Sequence, residues 1–139
     1  MKIFLLVLTG LLSSCSNESG PPLVATDLEL TAAMPGTSTS AAYLTLTNNS
    51  DELIRITKVS SPQYGLIEIH ESTVEGDIAR MRQVSELEIN PHQSVRLQRG
   101  GIHLMMMQPM ANIENVTLNL YDGKLLLMSM RTTPAVAGN

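Results

Sequence analysis

Three histidines, nine methionines and one cysteine are the soft donors of this 139-residue chain, and they are unevenly spread. Residues 101–110, GIHLMMMQPM, hold four of the methionines and one histidine. If IHLMMM is a strand, alternation puts Ile102, Leu104 and Met106 on one face and His103, Met105 and Met107 on the other. At ~3.3 Å per residue, His103 and Met105 then stand ~6.6 Å apart on the same side. LIEIHE repeats the pattern, with Ile67 and Ile69 facing one way and Glu68 and His70 the other. Each of these histidines is thus opposite the aliphatic stripe of its strand, where an imidazole can meet a metal ion. Imidazole with thioether is an uncharged, soft donor set suited to Cu(I), whereas Mg²⁺ and Ca²⁺ take oxygen ligands. Zinc more often recruits cysteine or carboxylate beside histidine. A blue-copper electron-transfer centre needs a thiolate, and the single cysteine, Cys15, ends an N-terminal apolar stretch. On their own, His103 and Met105 also read as packing residues, because methionine fills irregular cores.

Strands must position such side chains, and the sequence supplies them. Period-two alternation runs through residues 27–32, 42–48, 53–60, 66–71, 86–89, 94–98, 102–107, 116–121 and 124–130. Turn residues separate these runs: Asn48-Asn49-Ser50-Asp51, Glu75-Gly76-Asp77, Asn90-Pro91 and Arg99-Gly100-Gly101. Asp122-Gly123 between two apolar runs is a two-residue hairpin signal. No stretch sustains a helical period. The expected fold class is all-β, an antiparallel sandwich or barrel.

The chain is long enough for one domain with a core. Its formal charge of −4 and pI near 5.2 lack the basic excess of a nucleic-acid binder. With no Trp, one Phe and three Tyr, it has little with which to build a base-stacking platform. No Ser-His-Asp set or assignable carboxylate pair stands out, so the chain is not expected to be an enzyme.

The N-terminus reads as a targeting segment. Lys2 precedes an apolar stretch, Ile3 to Leu12, that is shorter than the ~20 residues a bilayer span needs. It ends in LLSSC, which resembles the bacterial lipobox, where the cysteine is lipidated. The expected layout is a signal peptide over 1–15 with Cys15 as lipid anchor and a flexible tether over 16–24. A β-sandwich over 25–133 and a tail over 134–139 follow. Such a protein is held on the periplasmic side of a membrane, the outer favoured over the inner by Ser16 after the cysteine.

His70, ten residues, Met81, twenty-one residues, then His103-Leu104-Met105 matches the H-x10-M-x21-H-x-M signature of the PCu(A)C family of periplasmic copper chaperones. AAYLTLTN (41–48), IEIHES (67–72), RMRQV (80–84), GGIHLMMM (100–107) and NVTLNLYDGK (115–124) are similar to that family as well. The similarity extends over nearly the whole expected domain. It implies a cupredoxin-like, immunoglobulin-like β-sandwich that binds one Cu(I) through His70, Met81, His103 and Met105. It also implies delivery of copper to an acceptor, such as a cytochrome c oxidase subunit or another assembly chaperone. The chain departs from the family in reading NPHQ, with His92, at a usually glycine-rich turn, and the His/Met-rich tail that some members carry is not expected here.

The expectation is a monomeric, lipid-anchored Cu(I) carrier. The alternatives are a lipoprotein that buffers copper without a dedicated acceptor, and an immunoglobulin-like interaction module with incidental histidines. Glu68 and Glu71 flank His70 and are either acceptors that orient its ring or surface charges.

Overall fold

The computed structural model describes residues 20–33, 36–110, 113 and 115–133. The signal segment with Cys15, the first part of the tether, Met34 and the tail from 134 lie outside the described residues. Eleven strands follow one another among those described: β1 (Leu23–Thr31), β2 (Ser40–Asn48), β3 (Ile54–Ile56), β4 (Lys58–Ser60), β5 (Tyr64–Glu75) and β6 (Ile78–Gln83), then β7 (Leu87–Ile89), β8 (Ser94–Leu97), β9 (Ile102–Pro109), β10 (Val116–Asp122) and β11 (Leu125–Thr132).

All pairing is antiparallel. One sheet runs β1-β2-β9-β5-β6, with β8 continuing beside β2 where β9 leaves it. The facing layer is built from β11-β10-β4 and the short pair β3-β7. Alternation explains which sides meet. Ala42, Leu44 and Leu46 of β2, Ile67 and Ile69 of β5, and Leu104 and Met106 of β9 are buried. They close on Val116, Leu118 and Leu120 of β10 and on Ile56, Val59 and Ile89. Each such side chain contributes ~1.5–3 kcal/mol relative to exposure. Met106 is fully buried, so it is a core residue.

One polar residue ties the rim of this core. Asn48, fully buried at the end of β2, donates Nδ2 to the carbonyls of Glu52 (2.7 Å) and Ile89 (2.9 Å). Its Oδ1 accepts from the Ser50 amide (2.9 Å) and hydroxyl (2.7 Å). A buried amide needs such partners, and here both ends of it are used.

The structure departs from the sequence-based elements in three places. The continuous run 53–60 is two strands: Ile54–Ile56 pairs with β7, and Lys58–Ser60 pairs with β10. Thr57 carries the switch, its amide donating to the Tyr121 carbonyl at 2.9 Å. β1 begins at Leu23, taking in two residues assigned above to the tether, because Leu23 pairs with Asn48 and is buried. Finally, β6 is a strand that alternation does not reveal, since all six of its residues are exposed.

Candidate metal centre

β9 lies between β2 and β5 in the large sheet, and its outward face is the floor of the site. His103 on β9 and His70 on β5 are direct cross-strand partners, with ring centroids 6.1 Å apart and edges inclined at 67°. Two pairs along, Met105 of β9 faces Glu68 of β5 on one side and Ala41 of β2 on the other. Met81 sits on β6 opposite Ser72, on the same face as His70. Met81, His103 and Met105 line one open cleft of 480 Å³ with Tyr43 and Arg99. His70 does not line this cleft; the sheet brings it beside His103 from a distant part of the chain.

The hydrogen bonds fix what each imidazole offers. His70 Nε2 lies 2.9 Å from Glu68 Oε2, so the ring nitrogen facing the carboxylate carries the proton. Its Nδ1 is buried and has no hydrogen-bond partner among the described residues. That nitrogen holds a lone pair with nothing to receive. His103 is turned the other way: Nδ1 donates to the Gly101 carbonyl at 3.0 Å, which leaves Nε2 as the lone-pair atom. The same Gly101 carbonyl accepts the Ser72 amide at 3.0 Å, joining the base of the β5–β6 hairpin to this imidazole. Glu71, by contrast, pairs with Arg82 on the opposite face and is a surface charge.

His103 is only 7% exposed, whereas Met81 is 55% exposed. The centre is therefore closed on the sheet side and open toward β6. Tyr43 of β2 covers the other flank, its ring centroid 6.4 Å from that of His103. Arg99 lies over the Tyr43 ring at 4.7 Å and donates Nη2 to Glu29 Oε1 at 2.7 Å. The hydrogen bond to the Glu29 carboxylate, with a smaller contribution from Tyr43, raises Arg99 above the ordinary arginine value. It is a permanent charge on the rim. Tyr43, Arg99 and Glu29 were not singled out by the sequence reading. The available signal was an aromatic ring at an outward position of β2 between Ala41 and Thr45.

Chemically the cluster is two neutral-imidazole donors with two thioethers. Among the described residues, no group of three or more His, Cys, Asp or Glu is arranged to hold a metal ion. That donor set matches a soft ion and gives a hard one little purchase. His92 does not line the cleft; it sits in a turn at φ 57° with Nε2 2.8 Å from Asp51 Oδ1. Met107, partnered with Leu66, shares the outward face two residues beyond Met105.

The family model for LpqE-like proteins matches residues 23–125. This chain belongs to the LpqE-like family. No curated protein matches it. Among solved structures, the LpqE-like chain is similar to the solution structure of CuI-DR1885 from Deinococcus radiodurans, with a TM-score of 0.63 and 27% identity, over 86% of this chain and 82% of that one. The apo form of DR1885 gives a TM-score of 0.60 at 24% identity, covering 100% and 97% of the two chains. The copper-bound PCuAC domain from PmoF2 gives 0.62 at 16% identity over 83% and 92%. These likenesses establish the fold of the LpqE-like chain as the cupredoxin-like, immunoglobulin-like antiparallel sandwich that the resemblance implied.

Proposed function

We propose that this LpqE-like chain is a Cu(I) carrier that holds one copper ion as cargo through His70, Met81, His103 and Met105 and passes it to an acceptor protein. The observation that carries this reading is the cross-strand imidazole pair with opposite tautomers, in which His70 Nδ1 is buried without a partner among the described residues. A buried lone pair left unmatched costs ~1–3 kcal/mol in the metal-free chain, and a bound cation removes that cost. The CuI-bound DR1885 structure, at 27% identity, supports copper as the ion. Thioethers do not titrate and have no thiol to lose to disulfide formation, which suits an oxidising compartment.

Delivery is ligand exchange. Copper leaves through the open side, where Met81 is exposed and an incoming donor can replace it. The protein acts as a carrier with no reaction of its own. In the cell the lipid on Cys15 holds the sandwich, as a monomer, on the periplasmic side of the membrane, the outer one by the Ser16 rule. Cytochrome c oxidase assembly is the destination that the PCu(A)C resemblance supports.

Competition titration with a Cu(I) chelator tests the site, together with X-ray absorption of the loaded protein. One copper per chain with two nitrogen and two sulfur donors is the expected result. No loss of affinity in His103→Ala or Met105→Ala would overturn it. A deletion strain that loses oxidase activity under copper limitation supports delivery, whereas sensitivity to excess copper alone points to buffering.

A further inference from the structure

β1 and β6 end the strand order β1-β2-β9-β5-β6 of the large sheet, and they are finished differently. β1 is interrupted: its register shifts between Thr26 and Glu29, where Asp27 adopts a φ of 55°. A bulge of this kind bends a strand and blunts an edge against pairing. β6 has no such interruption. It pairs with β5 in unbroken register from His70↔Gln83 to Glu75↔Ile78, contains neither proline nor glycine, and pairs with no other strand among the described residues.

The hairpin turn sets which backbone groups face outward. Gly76 and Asp77 form a two-residue turn, Gly76 at φ 64°, so the closing pair Glu75↔Ile78 is hydrogen-bonded. Antiparallel pairs alternate from there. The bond from the Val84 amide to the Ile69 carbonyl, 2.8 Å, keeps the same phase at the far end. The N–H and C=O groups of Ala79, Met81 and Gln83 therefore point away from β5 toward open solvent. These are also the residues whose side chains share the face of His70. The free edge and the exposed thioether coincide at Met81.

The opposite face carries charge. Arg80 lies 3.6 Å from Glu75, both largely exposed, and Arg82 pairs with Glu71. Exposed pairs of this kind hold their partners weakly, and a guanidinium has donors to spare for a second carboxylate. A second copy pairing antiparallel about Met81 would set Arg80 opposite the other Arg82, an unfavourable like-charge pair.

We propose that the outer edge of β6 is a docking strand for an extended segment of the copper-accepting partner, bearing a sulfur side chain opposite Met81 and carboxylates beside Arg80 and Arg82. Strand addition supplies main-chain hydrogen bonds, and alternation places the sulfur on the metal side and the acids on the arginine side. Transfer then needs no opening of the sandwich. A dative bond from the partner's sulfur forms as the one from Met81 breaks, and copper keeps its oxidation state. The proposal rests on the copper reading above.

The test uses the ¹⁵N-labelled chain and a nine-residue peptide of alternating Thr and Val around a central Glu-Met-Glu. Expected are shift changes and slowed hydrogen exchange at the Ala79, Met81 and Gln83 amides, with β1 unaffected. A Lys-Met-Lys peptide binds about tenfold more weakly, from two reversed cross-strand charge pairs. Ala79→Pro deletes an outward donor without removing a rung of the β5–β6 ladder, so it abolishes peptide binding and leaves Cu(I) affinity unchanged. The Arg80→Glu, Arg82→Glu double variant, which keeps the backbone intact, reverses the preference between the two peptides. Cu(I) titration of the same samples reads the metal site separately. Copper uptake with no response along β6 refutes the docking edge alone; absence of copper uptake refutes both readings. Concentration-dependent shifts at the same amides without peptide also refute it, the edge then serving a second copy.

Discussion

Replacing His70 with leucine is expected to make the metal-free chain more stable while removing its copper affinity. The buried Nδ1 of His70 has no partner among the described residues, and such an atom costs ~1–3 kcal/mol. Leucine has similar bulk and no polar atom. The substitution also deletes the bond from Nε2 to Glu68, worth ~0.5–1.5 kcal/mol net. Glu68 remains 25% exposed, so its carboxylate finds water instead of being stranded. The balance is a gain of ~1 kcal/mol, or about 4 °C in Tm for a domain of this size. Urea unfolding of the metal-free protein reads it as a higher midpoint at unchanged slope. His103→Leu is the internal control. Its Nδ1 is satisfied by Gly101, and that carbonyl keeps the Ser72 amide, so leucine there yields no gain. A His70→Leu midpoint equal to or below that of the parent would show that Nδ1 is not an uncompensated atom, and the physical case for a metal at that nitrogen would fall.

Glu68→Gln keeps an acceptor near His70 but removes its charge; copper affinity should drop about tenfold in competition titration, and no change would deny Glu68 its orienting role. Asn48→Ala leaves two carbonyls and the Ser50 donors without their buried partner. It should cost ~2–4 kcal/mol by urea unfolding without altering copper stoichiometry. Because both imidazoles must be neutral to donate, copper affinity should fall as acid protonates them, with protons taken up on release. Affinity measured across a descending pH series checks this, and a flat profile would mean that the thioethers alone hold the ion.

Much of this arrangement was legible from residue order because burial on one face writes a period of two. β2, β9 and β10 follow it, so residue order alone places Leu104 and Met106 in the core and His103 and Met105 opposite them. β6 could not be read that way. A strand with no buried face leaves no alternation, and Met81 was reached only through its spacing from His70 and His103. The break at Thr57 is masked because each half of 53–60 alternates; its one trace is the polar pair Thr57-Lys58, which puts buried Val59 three residues after buried Ile56. Ring orientation depends on atoms rather than on order. Alternation puts Glu68 on the face of His70 and Glu71 on the other, but only the folded structure shows that Glu68 meets the imidazole and Glu71 meets Arg82.

The position of β9 between β2 and β5 also has a kinetic meaning. β9 pairs with strands whose residues lie far back in the chain, Ala42 with Leu104 and His70 with His103. Such long-range pairings close large loops, so they form slowly and late. Among the described residues, none of the hairpins β1–β2, β5–β6 and β10–β11 contains both imidazoles, so no early local unit holds the two rings together. On the proposed copper reading, cargo would be loaded only onto a completed fold, which would separate the maturation of the chain from its first encounter with metal.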